Sequence, residues 1–191
     1  MRRLLVRSCT LIAALLSLSV HAQTITLVTP GHKIGIAVGA SGAGVSTVSF
    51  TLGSQAIGTP IPQSGAAIPI EIAYFRRTGG GSYNATINLT ASPAAANPNG
   101  LTSGANTVPW TEFSWTVANQ TSSLSTTILT APSAGSFPAG AAFTTPTLMS
   151  LQCARNAFCY VQANYTFSYN NSTVYAAGTY TGTMTYTVTA Q

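Results

Sequence analysis

Few side chains in this sequence have the types that acid–base or nucleophilic chemistry requires. Glu71 and Glu112 are the only acidic residues. A pair of carboxylates can hydrolyse a glycosidic bond when one acts as the acid and the other as base or nucleophile. These two lie far apart in sequence, and the alternative is that each is solvated or paired with Arg76, Arg77 or Arg155. We favour this structural role for both glutamates.

Histidine is equally scarce, because His32 is the only one outside the first 22 residues. A Ser-His-acid triad would depend on it. His32 follows Pro30 and Gly31, and this pair is typical of a turn between two strands. The sequence therefore predicts no catalytic residue and no cofactor, and a protein that is not an enzyme.

Beyond the first 22 residues, which contain Cys9, the sequence has two cysteines, Cys153 and Cys159, at the ends of one short segment. In an exported chain such a pair forms a disulfide. A metal site would need further ligands, which the sequence does not place nearby. We predict a structural Cys153–Cys159 disulfide that braces a turn between two strands, and no metal site.

The first 22 residues have the organisation of a secretory signal peptide. A basic stretch at residues 1–7 precedes an apolar run at 10–20, and Ala22 ends a short stretch of the kind that a signal peptidase reads. We predict residues 1–22 as the signal peptide and 23–191 as one exported domain. No later segment approaches the ~20 apolar residues of a spanning helix, so we expect no membrane span in the mature chain.

Charge excludes one class of partner. Beyond residue 22 the chain has four cations against two glutamates, a net charge of +2. Nucleic-acid binding requires clustered Lys and Arg that face phosphates, and Arg76 with Arg77 is the only adjacent pair here. We therefore expect no nucleic-acid partner.

Short runs with strand-like alternation recur along the chain, separated by Gly, Pro, Ser and Asn. Many short strands at near-regular spacing are typical of a sandwich or barrel. We predict an all-β fold with loops at residues 53–66, 92–109 and 130–143. The predicted strands are 25–28, 34–38, 45–52, 68–75, 83–91, 112–117, 124–129, 147–152, 160–169 and 178–189.

Both tryptophans lie in residues 109–115. In an extended strand Phe113 and Trp115 share one face and Trp110 takes the other. We predict Phe113 and Trp115 in the core. Trp110 either caps the rim of the core or forms an aromatic platform for a sugar. The second alternative makes the protein a secreted carbohydrate-binding module that uses Trp110 and adjacent loops.

The C-terminal residues 178–191 alternate between a threonine face and an apolar face. A period of two with β-branched residues predicts a half-buried strand. A shorter alternation occurs near the start of the mature chain, where Ile25 and Leu27 stand beside threonines. The apolar face of the C-terminal run consists of Tyr180, Met184, Tyr186 and Val188, in register with Gly178 and Gly182.

These two ends resemble those of bacterial fimbrial subunits of the chaperone-usher type and of related spore-coat-U-like secreted proteins. In that family the last strand carries a glycine fourteen positions from the C-terminus, which is Gly178 here. The resemblance implies an immunoglobulin-like antiparallel sandwich with an incomplete sheet that a neighbouring subunit completes. Ile25 and Leu27 would lie on the donated strand. The receiving groove would involve Gly178, Tyr180, Met184, Tyr186 and Val188.

The function that this resemblance implies is that of a structural subunit of a surface fibre, such as a fimbria or pilus, or of a coat. The partners would be identical or related subunits, together with a periplasmic chaperone and an outer-membrane usher. The chain would pass through the periplasm to the cell surface. Head-to-tail strand addition gives a contact that need not close, and hence a fibre.

Overall fold

The chain forms two β-sheets that pack face to face, which confirms the predicted all-β sandwich. The structure is a computed structural model that describes residues 15–20, 27–29, 32–39, 47–51, 56–76, 85–138, 147–154 and 156–190. None of the described residues belongs to a helix that is long and apolar enough to cross a membrane.

The first sheet, sheet A, has eight strands, and its main path runs β11-β13-β7-β15-β1-β4. The hairpin β8–β9 joins it through β8, which pairs with β15. All of its described strand pairs are antiparallel except β1 with β15. The strands are β1 (Leu15–Val20), β4 (Thr47–Thr51), β7 (Ala85–Pro93), β8 (Gly100–Ser103), β9 (Asn106–Pro109), β11 (Thr126–Thr130), β13 (Thr147–Cys153) and β15 (Tyr180–Ala190).

The second sheet, sheet B, has seven strands, and its main path runs β12-β10-β14-β6-β3-β2. The short strand β5 pairs with β14, and all described pairs of this sheet are antiparallel. The strands are β2 (Leu27–Thr29), β3 (His32–Val38), β5 (Ile61–Pro62), β6 (Ile68–Arg76), β10 (Phe113–Ser122), β12 (Gly135–Ser136) and β14 (Phe158–Tyr169).

The alternation in the sequence decides which face of each strand is buried. Along β14 every second residue from Cys159 to Tyr169 is buried, and β7 alternates in the same way from Ala85 to Ala91. Because successive side chains of a strand point to opposite faces, each sheet contributes one apolar face. The two faces meet in one hydrophobic cluster.

Aromatic rings from both sheets meet at one end of this cluster. Phe50 of β4 lies 5.5 Å from Phe113 of β10 and 6.5 Å from Tyr169 of β14, measured between ring centroids. Phe137 lies 5.8 Å from Trp110 and 4.9 Å from Trp115. Aromatic pairs at such distances add to the stabilisation from burial.

The structure differs from the sequence prediction in several described segments. Besides β1, which lies in the predicted signal peptide, the short strands β5 and β12 fall within the predicted loops 53–66 and 130–143. Residues 92–109, predicted as a loop, contain the β8–β9 hairpin, whose turn places Gly104 at a φ of 58°. Two-residue hairpin turns favour glycine because they need positive φ. Residues 110–112 form a 3-10 turn after Pro109 instead of the start of a strand, so the two-residue alternation begins only at Phe113.

Candidate functional site

The strand that joins β4 to the rest of sheet A is β1, and it belongs to the predicted signal peptide. It pairs in parallel with Tyr180–Met184 of β15 and antiparallel with Thr47–Thr51 of β4. No described residues of β15 and β4 pair directly with each other. We call the space between these two strands the strand slot, since it takes one extended segment with hydrogen-bonding edges on both sides.

One wall of the strand slot is the C-terminal strand, whose predicted alternation is present. Tyr180, Gly182 and Met184 are buried. Tyr186 and Val188 are half-buried and pack against the core. The threonines between them are exposed, except Thr183, which is half-exposed. The apolar side of β15 therefore faces sheet B along its length.

The other wall is β4, where Val48 and Phe50 are almost fully buried. Besides β1, the backbone of β4 meets the rest of the described chain at Ser49, whose carbonyl accepts a hydrogen bond from the Ser64 amide at 2.6 Å. The hydroxyls of Thr51 and Ser64 lie 3.0 Å apart. This wall is therefore held to sheet B by one bridge and by the packing of Phe50.

The floor of the strand slot is formed where two glycines allow close approach. A Cβ added at Gly182 would lie 2.5 Å from Cδ2 of Leu101 and 3.1 Å from Cη2 of Trp110. A Cβ added at Gly178 would lie 2.7 Å from Oγ of Ser103. A larger residue at either position would displace these neighbours, so Gly178 has a packing role just before β15 begins.

Trp110 is part of this floor, and the interpretation of it as an exposed sugar platform is wrong. Its side chain is only 2% exposed, and its indole N–H donates to the carbonyl of Asn97 at 2.9 Å. Its ring centroid lies 6.0 Å from that of Phe113. The 3-10 turn at residues 110–112 gives both rings access to the core. The prediction that Phe113 and Trp115 lie in the core is confirmed.

The two glutamates do not form a catalytic pair. Glu71 of β6 is in register with Gln162, whereas Phe113, which follows Glu112, is in register with Tyr169. The strand from residue 162 to 169 spans about 23 Å, and paired glycosidase carboxyls lie about 5–10 Å apart. Glu112 is buried and accepts hydrogen bonds from the amide and hydroxyl of Ser172. Its role is to hold residues 170–173 against the 3-10 turn.

The predicted disulfide between Cys153 and Cys159 is present, with both residues fully buried. It joins the last residue of β13 in sheet A to the second residue of β14 in sheet B. The bond thus braces a turn between strands, as predicted, and this turn crosses from one sheet to the other. No group of three or more potential metal ligands comes together within the described ranges.

The predicted donor residues are placed only in part. Ile25 lies outside the described residues. Leu27 begins β2, a three-residue edge strand of sheet B, where it is in register with Ile34 of the same chain. In this structure the segment around Leu27 therefore pairs within its own chain, and any donation to a neighbour requires it to leave β3.

Tyrosines supply the titratable groups of the core beside the strand slot. Burial raises the pKa of Tyr186, and Tyr165 of the facing sheet adds to the increase. Burial, followed by the negative charge of Glu112, raises the pKa of Tyr169 to about 12. These phenols therefore stay neutral at physiological pH.

Reasoning from the sequence missed β1 itself, because an apolar run after a basic stretch reads as a signal peptide. The sequence does contain a pattern that indicates this strand. Leu16, Leu18 and Val20 alternate with Ser17 and Ser19, which is the two-residue period of a strand within the apolar run. Comparison with known proteins adds no further information, since no protein-family model and no curated protein matches the chain. The arrangement itself is suited to binding an extended segment of polypeptide.

Proposed function

We propose that the protein is an exported structural subunit of a surface fibre or coat, assembled by strand addition. The observation that carries this proposal is the pairing of β1: the strand that bridges β15 and β4 lies within residues 1–22, which the sequence predicts to be removed. The mature chain then keeps both walls of the strand slot without an occupant of its own from that segment.

An open strand slot is energetically unfavourable. Tyr180, Met184, Val48 and Phe50 are at most 1% exposed in the filled sheet. Fully uncovering one large apolar side chain costs about 1.5–3 kcal/mol, against a total stability of about 5–15 kcal/mol for a typical domain. The edges of β15 and β4 would also lose their backbone partners. A replacement strand would therefore stabilise the mature domain.

The N-terminal segment of a neighbouring subunit has the chemistry of such a replacement. Ile25 and Leu27 alternate with threonines, as Leu16 and Leu18 alternate with serines in β1. Among the described residues, β2 shares three register pairs with β3, so the release of this described segment breaks few hydrogen bonds. Donation from one identical or related subunit to the next gives a head-to-tail contact that propagates.

Export fits the remaining parts of this proposal. The subunit would cross the periplasm with a chaperone strand in the slot, and an outer-membrane usher would exchange it for the neighbour's segment at the cell surface. The buried disulfide is compatible with an oxidising compartment. In this function the protein acts through assembly and not as an enzyme.

Deletion of residues 23–28 from the exported protein tests the proposal. The wild-type protein should form filaments visible by negative-stain electron microscopy and multimers on size-exclusion chromatography. The deletion variant should be secreted folded and remain without multimers. A matched control replaces Thr24 and Thr26 by serine, which keeps the alternation and should keep assembly. Multimers of the deletion variant at wild-type levels would contradict strand addition by this segment.

A second candidate function, carbohydrate binding, is favoured by the outer face of sheet B. Phe75 and Phe158 are in register on neighbouring strands, and they are 37% and 53% exposed. The ring of Phe158 lies 6.0 Å from that of Tyr160. Gln162 lies two residues beyond Tyr160 on the same strand, and it is in register with Glu71 of the neighbouring strand. Exposed aromatic rings beside a carboxylate and an amide can stack on a sugar and bind its hydroxyls.

Retention on immobilised glycans distinguishes this candidate. Phe158→Ala should lose retention with little change in melting temperature, because exposed substitutions shift stability by about 0.5 kcal/mol or less. Leu129→Ala removes an exposed apolar side chain from sheet A instead and should retain wild-type binding. Equal retention by both variants would contradict carbohydrate binding at this face.

A further inference from the structure

We infer that the signal peptide is an internal occupant of the strand slot, and that its removal is the step that makes the subunit able to assemble. In this view the precursor is a self-completed monomer, and the mature chain is an open acceptor. The inference rests on the proposed function, since it identifies the first occupant of the same slot and what controls access to it.

The register of β1 supports a specific fit. Leu18 is in register with Gly182 on one side and with Val48 on the other. Leu16 is in register with Tyr180 and Phe50, and Val20 with Met184. Those partners on β15 and β4 are all buried positions. We call positions 16, 18 and 20 the matched positions of β1, because their register partners are buried.

The sequence matches this register. The matched positions carry Leu, Leu and Val, and the two positions between them carry serine. Ser17 is in register with Thr181 and with Ser49, and Thr181 is exposed. A signal peptide needs only an apolar run for export, and nothing in that requirement calls for serine at every second position. The alternation is what a strand with one buried face needs.

Covalent attachment makes the signal peptide, here also called the leader, a strong competitor of a neighbour's segment for the strand slot. Only residues 21–26 separate β1 from β2, and a short tether holds a segment at an effective concentration of about 1 mM. A neighbour's segment at about 10 µM with equal intrinsic affinity would be disfavoured about 100-fold. A peptidase that hydrolyses the Ala22–Gln23 bond adds water across it, leaving a carboxylate on Ala22 and an amine on Gln23. The tether is then lost, and so is the advantage.

The test uses the full chain of 191 residues, produced without export so that the leader is retained. Leu18→Asp places a charge at a matched position, in register with buried Gly182 and Val48. Ser17→Asp places the same charge at the neighbouring position, in register with exposed Thr181. Melting temperature and oligomeric state are measured for the wild type and for both variants. We expect wild type and S17D to be monomers of equal melting temperature. L18D should melt at a lower temperature and form multimers, as the chain 23–191 does.

A second measurement tests the inference even if the L18D variant does not fold. A synthetic peptide of residues 14–22 is added to the chain 23–191 and should block multimers and raise the melting temperature, whereas the same peptide with L18D should do neither. Equal behaviour of L18D, S17D and wild type, together with no effect of the peptide, would overturn the inference while leaving strand addition intact. A destabilised but strictly monomeric L18D would support the leader as occupant and count against the proposed assembly.

Discussion

The indole of Trp110 lies against the backbone of Gly182, so that a Cβ added at Gly182 would lie 3.1 Å from Cη2 of the ring. This contact joins the 3-10 turn to the C-terminal strand and forms the floor of the strand slot. It explains why a glycine interrupts the apolar side of β15 and why the tryptophan is buried. The same contact determines the expected effects of substitutions at Gly182 and at Trp110.

Gly182→Val should destabilise the protein by about 1–3 kcal/mol, because added side-chain atoms in a filled core displace Leu101 and Trp110. Denaturant unfolding monitored by tryptophan fluorescence measures the change. Thr181→Val is the matched control, since its side chain is exposed on the same strand. A free energy of unfolding of G182V within 0.5 kcal/mol of wild type would contradict the close packing of the floor, since about that much is expected of neutral surface changes.

Trp110→Ala should lower the free energy of unfolding by about 3–5 kcal/mol, as expected when a buried aromatic side chain is removed. The loss also leaves the carbonyl of Asn97 without the indole donor. Calorimetry on W110A and on Phe158→Ala compares a buried with an exposed ring. If the two variants melted at the same temperature, the placement of Trp110 in the core would be wrong.

The sequence was sufficient to predict the alternating strands but not the assembly of the sheet. Along β15 the pattern is local, and burial follows it from Tyr180 to Met184. The neighbours of a strand depend on long-range pairing, and nothing within residues 15–20 indicates that they lie between β15 and β4. The position of Trp110 was missed for a local reason, because Pro109 begins a 3-10 turn that shifts the faces of the following residues.

The part of the candidate site that depends on local alternation could be predicted from the sequence. The C-terminal pattern predicted a strand with one buried face, and Tyr180, Gly182 and Met184 of that strand are buried and in register with β1. The opposite wall was not predicted, because Val48 and Phe50 lie in an ordinary short strand whose role depends on its distance from β15. Glu112 was expected to be solvated or paired with arginine, and it is instead buried and bonded to Ser172.

Replacing both Cys153 and Cys159 by alanine should destabilise the protein by about 2 kcal/mol, since the bond closes a short loop and restricts the unfolded chain. The two sheets should remain packed, because the cluster on either side of the bond is apolar. Unfolding of the double variant, compared with the oxidised wild type under non-reducing conditions, measures this effect. A loss of β-sheet signal in the circular dichroism spectrum of the variant would contradict a purely bracing role.

Stability should fall as the pH rises above 10. Burial raises the pKa of Tyr169 from its ordinary value of 10.0 to about 12. Between these values the unfolded chain releases a proton that the folded chain retains, so the free energy of unfolding decreases with pH. In Tyr169→Phe the free energy of unfolding should decrease less steeply with pH between pH 10 and 12, by a slope that corresponds to up to about one proton. Identical slopes for wild type and variant, measured by urea unfolding at several pH values, would contradict this assignment.

We expect the mature subunit to fill its strand slot with a segment from another copy, and amide hydrogen exchange of β15 reports whether the slot is filled. Exchange is measured for residues 180–184 in multimers of the chain 23–191 and in the same chain without residues 23–28, with β14 as internal reference because it lies between two paired strands. We predict strong protection of residues 180–184 in the multimers and exchange at least about tenfold faster in the shortened chain, a change of about 1.4 kcal/mol in opening free energy. Equal protection of this segment in both samples would contradict this expectation.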